Sequence, residues 1–191
     1  MVRAFLAIDL PQELKKKLSN LGKIDIPKDI KIKWVEEENF HITLKFFGNI
    51  KETLLEKLFK ETQKSAQEHN FFQLSLSEVG FFPQKKTPRV VWIGINTHDN
   101  TLFEIHRALK KIFKKFKLGE EKDFHPHITL FRVKTIRNLK SFNFYLEQIS
   151  EKAKVIKGFT FKVNELIFFE SILSSKGPVY RPLYKVKFKN E

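Results

Sequence analysis

The tetrapeptide His-Ile-Thr-Leu occurs twice in this chain, at residues 41–44 and 127–130. The chain has six histidines and no cysteine, so two of its few histidines lie in the same sequence setting. In a β-strand, alternate side chains point to the same face. His41 should therefore share a face with Thr43, and His127 with Thr129. The repeat predicts two His–Thr pairs that face each other across a groove.

The residue types suit acid–base chemistry on a phosphate. The ordinary pKa of histidine, about 6.5, allows one imidazole to donate a proton near neutral pH while another accepts one. Each positioned proton transfer contributes about 10²–10⁴ in rate. The hydroxyls of Thr43 and Thr129 can donate hydrogen bonds to phosphate oxygens as negative charge builds on them. Such a mechanism needs neither a metal nor a cofactor, and the sequence indicates neither.

Strict alternation extends this prediction to the residues that follow each motif. It places Lys45 on the same face as His41, and it places Phe46 on the opposite, apolar face. It also places Phe131 on the same face as His127, where the ring is a candidate for stacking on a nucleic-acid base.

A metal site is the alternative interpretation of the histidines. His125, His127 and His41 together supply three imidazoles, the number used by some catalytic zinc sites. However, Pro126 separates two of them, and no His-Glu-x-x-His motif or acidic cluster accompanies them. A structural role for His125 is therefore favoured. The other three histidines are expected to be surface or structural residues: His69, His98 and His106.

Length and composition limit the class of protein. A chain of 191 residues is long enough for one sizeable core, so a single domain over residues 1–191 is expected. No apolar run approaches the roughly 20 residues that span a bilayer, and the start of the chain lacks a signal peptide's pattern, which predicts a cytoplasmic protein. The absence of cysteine and the abundance of Lys and Glu are typical of heat-adapted proteins.

The charge is strongly positive, with 36 Lys and Arg against 22 Asp and Glu and a formal net charge of +14. Such an excess favours a polyanionic partner, because binding releases the counterions of that partner. A lysine-rich solvated surface with no partner is the alternative.

Strand-like and helix-like segments alternate along the chain. Two-residue alternation with β-branched and aromatic residues predicts strands at 3–10, 32–35, 41–48, 71–80, 90–96, 127–133, 159–171 and 180–188. Apolar residues at helical spacing predict helices at 11–22, 52–69, 101–117 and 141–153.

Each HITL strand is followed by a helix and then by two strands, which is a coarse internal repeat. The order predicts an α+β fold with antiparallel sheets and outer helices. We expect it to be bilobal, with two lobes related by a pseudo-two-fold axis and one HITL motif from each lobe lining a central groove.

The motifs and their surroundings resemble the 2H phosphoesterase superfamily, which is named for two His-x-Ser/Thr-x motifs. The resemblance is greatest to the RNA 2′,3′-cyclic phosphodiesterase family, also called 2′-5′ RNA ligases, and it extends over nearly the whole chain. The segments that carry it are RAFLAIDLP, ENFHITLKFFGNI, GFFPQKKTPRVVWIGI, FHPHITLFR and FFESILSSKGPVYRPLYKVKF. It implies a bilobal fold and hydrolysis of a 2′,3′-cyclic phosphate to a 2′-phosphate.

The resemblance also implies a role for each motif residue. His41 corresponds to the histidine that protonates the departing 3′ oxygen, and His127 to the one that activates the attacking water. Thr43 and Thr129 correspond to the hydroxyls that hold the phosphate. Arg132, two residues beyond the second motif, corresponds to a phosphate contact. Strict alternation puts Arg132 on the face opposite His127, so a bulge or the strand end must bring it into the groove.

The expected partner is RNA with a 2′,3′-cyclic phosphate end, with tRNA fragments among the candidates, and the expected state is a monomer without membrane contact. Two alternatives stay open. In the first, a 5′-hydroxyl of another RNA replaces water at the same site and gives a 2′-5′ ligase. In the second, the groove binds RNA phosphates without turnover.

Overall fold

The computed structural model describes residues 1–119, 123–175 and 177–189. The strands are β1 (Val2–Asp9), β2 (Ile30–Trp34), β3 (His41–Ile50), β4 (Phe72–Phe82), β5 (Val90–Thr97), β6 (His127–Ile136), β7 (Thr160–Val163), β8 (Glu165–Leu173) and β9 (Pro178–Lys187). The helices are α1 (Gln12–Leu21), α2 (Glu52–Ala66), α3 (Thr101–Lys115) and α4 (Leu139–Ala153), with 3-10 turns at Glu37–Asn39 and Lys154–Ile156. None of these helices combines the length and apolar character needed to cross a bilayer.

The strands β1 to β9 belong to one antiparallel sheet with two similar halves. From the centre outward, one half runs β3-β1-β8-β9 and the other runs β6-β5-β4-β7. The halves meet where β3 pairs with β6, and Ile42 is the partner of Ile128 there. The predicted α+β class and the two related halves are therefore confirmed. The HITL motifs lie at the junction of the halves.

The helices cover the sheet in two pairs. Helix α2 packs against α3 and β9. Helix α4 packs against α1, β4 and the 3-10 turn Lys154–Ile156 that follows it. Their buried faces carry leucine, isoleucine and phenylalanine at helical spacing, as the sequence predicts. These faces contribute to the main core. A second, small apolar cluster, made of Phe5, Ala7, Ile167 and Phe169 with Tyr180 packed on it, lies beside His41.

One predicted strand is wrong. The segment 159–171 forms two strands, β7 and β8, which are interrupted at Asn164. Strand β7 pairs with β4 in one half, whereas β8 pairs with β1 and β9 in the other. The chain thus passes from one half of the sheet to the other at Asn164. The alternation of apolar and polar residues is interrupted here by two consecutive polar residues, Asn164 and Glu165, which was the local sign of the break.

Candidate active site

The motifs lie in a groove of about 380 Å³ where the two halves of the sheet meet. His41, Thr43, His127 and Thr129 all line this groove. Ile42 pairs with Ile128, and in an antiparallel pair each step forward along one strand corresponds to one step back along the other. That register puts Thr129 across from His41 and His127 across from Thr43. The structure thus brings together the two His–Thr pairs that the sequence predicts.

The two imidazoles are held by the same type of hydrogen bond. His41 Nδ1 lies 2.7 Å from the backbone oxygen of Asn39, and His127 Nδ1 lies 2.7 Å from that of His125. A carbonyl can only accept, so each Nδ1 carries the proton and donates it. Nε2 of the neutral ring is then left as the proton acceptor. In each motif the backbone two residues earlier therefore fixes the tautomer and leaves Nε2 for chemistry.

His41 lies among aromatic rings. Its ring centroid is 4.9 Å from that of Phe5 and 5.3 Å from that of Tyr180, and its Nε2 is 2.9 Å from the hydroxyl oxygen of Thr43. Loss of hydration in these surroundings lowers the pKa of His41 to about 4, although the Asn39 carbonyl opposes the shift. Burial also raises the pKa of Tyr180. In the free protein, His41 is therefore neutral at pH 7.

His127 has a different aromatic environment. Its ring centroid lies 5.3 Å from that of Phe82 and 5.9 Å from that of Trp92. Burial lowers the pKa of His127, and the nearby His125 and Arg132 lower it further, whereas the hydrogen bond to the backbone of His125 raises it. Both imidazoles of the groove therefore favour the neutral form before an anion binds.

A β-bulge brings Arg132 into the groove. Trp92 pairs with Thr129 but the next residue, Val91, pairs with Phe131, so Leu130 is an extra residue in β6. Leu130 and Phe131 are both fully buried, and the alternation then resumes with Arg132 on the groove side. The bulge required by the predicted phosphate contact is present.

Strand β3 has the same bulge at the equivalent place. Ala7 pairs with Thr43 and Leu6 with Lys45, so Leu44 is the extra residue. Phe46 then turns to the groove side, where 59% of its surface is exposed, at the position equivalent to Arg132. The groove thus presents a cation at the end of one motif strand and an aromatic ring at the end of the other.

The bulges overturn three predictions made from strict alternation. Phe131 does not point into the groove; it is fully buried, with its ring 4.9 Å from that of Trp34. Lys45 is buried on the other side of the sheet, where its ammonium donates to the backbone oxygen of Gly119. Phe46 is in the groove rather than in the core. One inserted residue reverses the face of every side chain that follows it.

His125, the additional histidine of the metal interpretation, packs among aromatic rings. The ring centroids of His125 and His127 are 6.2 Å apart, and the His125 ring packs against Phe82 and Trp92 at 5.4 and 4.7 Å. Within residues 1–119, 123–175 and 177–189, no three His, Asp or Glu side chains are grouped as metal ligands would be. His125 therefore has the packing role that the sequence favours. His106 also packs, stacked on Phe124 at 4.0 Å.

Sequence reasoning missed several groove residues. They are Lys33, Phe46, Phe82, Lys134 and Tyr180. Phe46 had a detectable signal, because it follows its motif histidine by five residues, as Arg132 does. Lys134 lies on β6 itself, two residues beyond Arg132. Lys33, Phe82 and Tyr180 come from strands whose position beside the motifs depends on the sheet order, which is not visible in the sequence.

Comparison with known proteins agrees with this geometry. A family model described as LigT like phosphoesterase matches the chain twice, at residues 8–92 and 93–180, so that each match contains one HITL motif. The RNA 2′,3′-cyclic phosphodiesterase of Methanothermobacter thermautotrophicus is 35% identical over 179 residues, which cover 94% of this chain and 95% of the relative. That of Methanocaldococcus jannaschii is 32% identical over 179 residues, with coverage of 94% and 96%.

Solved structures have the same fold. The crystal structure of TT0787 of Thermus thermophilus has a TM-score of 0.77 and 25% identity, and covers 99% of each chain. Escherichia coli LigT complexed with 3′-AMP has a TM-score of 0.77 at 23% identity and also covers 99% of each chain, which shows the shared fold. The predicted family is confirmed: this chain belongs to the LigT-like phosphoesterases.

Proposed function

We propose that this protein hydrolyses the 2′,3′-cyclic phosphate at the end of an RNA to a 2′-phosphate, with His41 and His127 as the acid–base pair. The observation that carries the proposal is the pair of equivalent imidazoles in one groove, each fixed through Nδ1 by the backbone two residues earlier. The similarity to relatives named RNA 2′,3′-cyclic phosphodiesterase supports the substrate.

The proposed reaction has one bond formed and one broken at phosphorus. Nε2 of neutral His127 accepts a proton from water, and the water oxygen forms a bond to phosphorus. The bond between phosphorus and the 3′ oxygen breaks, and protonated His41 donates its proton to that oxygen. The product has a 3′-hydroxyl and a 2′-phosphate, and each histidine ends in the protonation state of the other. Proton exchange with water restores the starting state.

The threonines and Arg132 would stabilise the phosphate as it becomes five-coordinate. In the free protein, the Thr43 hydroxyl is within 2.9 Å of His41 Nε2, so it lies beside the atom that must deliver the proton. Thr129 occupies the equivalent place in the other motif. Arg132 adds a permanent positive charge with several donors, which suits the non-bridging oxygens.

The low pKa of His41 gives the substrate a further role. An acid with a pKa of about 4 is almost entirely neutral at pH 7, so it needs a neighbouring negative charge to hold its proton. The phosphate anion supplies that charge, because an opposite charge within about 4–6 Å favours the protonated imidazole. Substrate binding would therefore assemble the active protonation state of the pair.

We also propose tRNA fragments as substrates and a cytoplasmic monomer as the working form. Both motifs come from one chain, so a single copy contains a complete candidate site. A cytoplasmic location agrees with the absence of cysteine, since disulfides are typical of oxidising compartments.

The test is an assay in EDTA with a short RNA that ends in a 2′,3′-cyclic phosphate. We would compare the wild type with His41→Ala and His127→Ala and identify the product isomer by chromatography. We expect a 2′-phosphate product from the wild type and a large loss with either variant. A 3′-phosphate product, or full activity of either variant, would contradict the mechanism. A second RNA with a 5′-hydroxyl in the assay would reveal a joined product if ligation occurs.

A further inference from the structure

Strand β2 makes the two halves of the sheet unequal. Counted outward from the junction of β3 and β6, each of the other strands has a counterpart in the opposite half of the sheet. Strand β2 lies outside this order and is paired with β6. Beside the same part of β3, the residues described by the structure form no additional strand. The pseudo-two-fold relation of the groove is therefore broken at one end, and β2 is the element that breaks it.

The added strand brings positive charge to that end of the groove. Lys33 of β2 is directly paired with Arg132 of β6, and Lys31 is paired with Thr135, next to Lys134. Lys33, Arg132 and Lys134 line the groove that contains the motif histidines, and all three are exposed. Lys31 is exposed as well and continues the row on β2.

The charges at this end are mostly positive but not entirely so. Glu36, just after β2, also lines the groove. In the groove lining, Glu36 faces three cations, Lys33, Arg132 and Lys134, which leaves a positive local field that attracts an anion. It also provides an acceptor for a hydroxyl or amino group. The groove lining also includes aromatic surface, from Phe46 of β3 and Tyr180 of β9.

The spacing of these cations suits a chain of phosphates. Lys31 and Lys33 are two residues apart on β2, which is about 6.6 Å along an extended strand and of the order of the distance between successive phosphates in a single strand. In β6, a register shift makes Lys134 an extra residue opposite this pair. Single-stranded nucleic acids are commonly bound by a positive track for the backbone and aromatic side chains for the bases. Both features lie along one continuous groove here.

We infer that the exposed face of β2 and β6, made of Lys31, Lys33 and Lys134, binds the phosphodiester backbone of the RNA on the 5′ side of its cyclic end. This inference rests on the proposed function. When the cyclic phosphate at the 3′ end lies between His41 and His127, the rest of the RNA can only extend in the 5′ direction. The protein is then an enzyme for RNA ends, with a preference for oligonucleotides over cyclic mononucleotides.

The experiment compares two substrates that differ only beyond the terminal nucleotide. They are 2′,3′-cyclic AMP and an adenine trinucleotide that ends in a 2′,3′-cyclic phosphate. The double variant Lys31→Ala/Lys134→Ala should lower the ratio of kcat/KM for the trinucleotide to kcat/KM for the mononucleotide by about tenfold. For the trinucleotide, the slope of log kcat/KM against log salt should become about 1.4 less steep, because each lost phosphate contact removes about 0.7.

A matched control removes the same charge elsewhere. Lys57→Ala/Lys60→Ala changes two exposed lysines on α2 that do not line the groove, and it should leave the ratio unchanged. The inference is overturned if Lys31→Ala/Lys134→Ala leaves the ratio intact or if the α2 variant lowers it equally.

Failure of the proposed function would be seen separately, as a wild type that hydrolyses neither substrate. In that case the binding of a fluorescent trinucleotide with a 3′-phosphate decides the inference. A Kd about tenfold weaker in Lys31→Ala/Lys134→Ala than in the α2 control would support the RNA-binding face, and an equal Kd would overturn it.

Discussion

Strands β3 and β6 carry the same tetrapeptide, the same β-bulge and the same backbone hydrogen bond to the motif histidine. They differ in what their neighbours supply. His41 lies against Phe5 and Tyr180, whereas His127 lies against Phe82 and Trp92. The repeated backbone thus orients the two imidazoles in the same way. The aromatic rings that surround each imidazole differ, because they come from strands distant in the sequence.

The difference continues beyond the motifs. Five residues after the histidine, β3 places an aromatic ring in the groove and β6 places a guanidinium there. The near-symmetrical site therefore has two distinct ends. A cyclic phosphate is itself asymmetrical, with a 2′ and a 3′ oxygen, so the distinct ends provide a physical basis for one binding orientation and one product isomer.

The largest effect is expected from removing either imidazole. His41→Ala and His127→Ala should each lower kcat by about 10²–10⁴, because each removes one positioned proton transfer. His98→Ala, which changes an exposed histidine in a loop, is the control and should retain wild-type kcat. If only one of the two groove variants lost activity, the proposal that both histidines transfer protons would be contradicted.

Removal of the guanidinium should have the next largest effect. Arg132→Ala should lower kcat/KM by about 10- to 100-fold, because hydrogen bonds to a charged phosphate contribute about 1.5–3 kcal/mol. Steady-state kinetics with a cyclic nucleotide would measure it, with Arg107→Ala on α3 as a control of equal charge. Unchanged kinetics in Arg132→Ala would show that the bulge at Leu130 does not serve catalysis.

The equivalent change at the other end should affect binding. Phe46→Ala should raise KM about tenfold with little change in kcat, since stacking of a base on an aromatic ring contributes about 1–3 kcal/mol. Phe144→Ala removes a similarly exposed ring, 61% against 59%, from α4 and should leave KM unaltered. A fall in kcat for Phe46→Ala would instead connect this ring to the chemical step.

The packing around His127 can be tested through glycine. A Cβ at Gly80 would lie 2.3 Å from Cη2 of Trp92, the ring that packs near His127. Gly80→Ala should therefore lower the free energy of unfolding by about 1–3 kcal/mol and reduce kcat, because Trp92 must move. Gly94→Ala adds the same methyl at 3.4 Å from the same ring and should change stability far less. Urea unfolding would compare them, and equal stabilities would contradict the proposed packing constraint.

The smallest effect is a displacement of the pH profile. The pKa values of both histidines are lowered in the free protein, that of His41 to about 4. A bound phosphate favours the protonated form of each ring and raises both pKa values. The bell-shaped profile of kcat, which reports the complex, should therefore have its maximum at a higher pH than that of kcat/KM, which reports the free enzyme. Coincident maxima would indicate that the substrate does not perturb the pair.

The sequence was sufficient to predict the two motif strands, the α+β class, the repeat and the phosphoesterase family, because periodicity and a duplicated motif are local features. It also identified all four groove residues of the motifs. Its errors at Lys45, Phe46 and Phe131 have one cause. A β-bulge changes the hydrogen-bond register with a neighbouring strand, and residues close in sequence do not report that register.

Only the tertiary structure decided which side chains surround the two motif histidines. The rings beside His41 come from β1 and β9, and those beside His127 come from β4 and β5. The break at Asn164, which sends β7 and β8 to opposite halves of the sheet, is likewise set by pairing with distant strands. The sequence by itself determined which side chains can transfer protons. Strand order determined their burial, their pKa values and the difference between the two ends of the groove, because these properties depend on contacts between residues far apart in the chain.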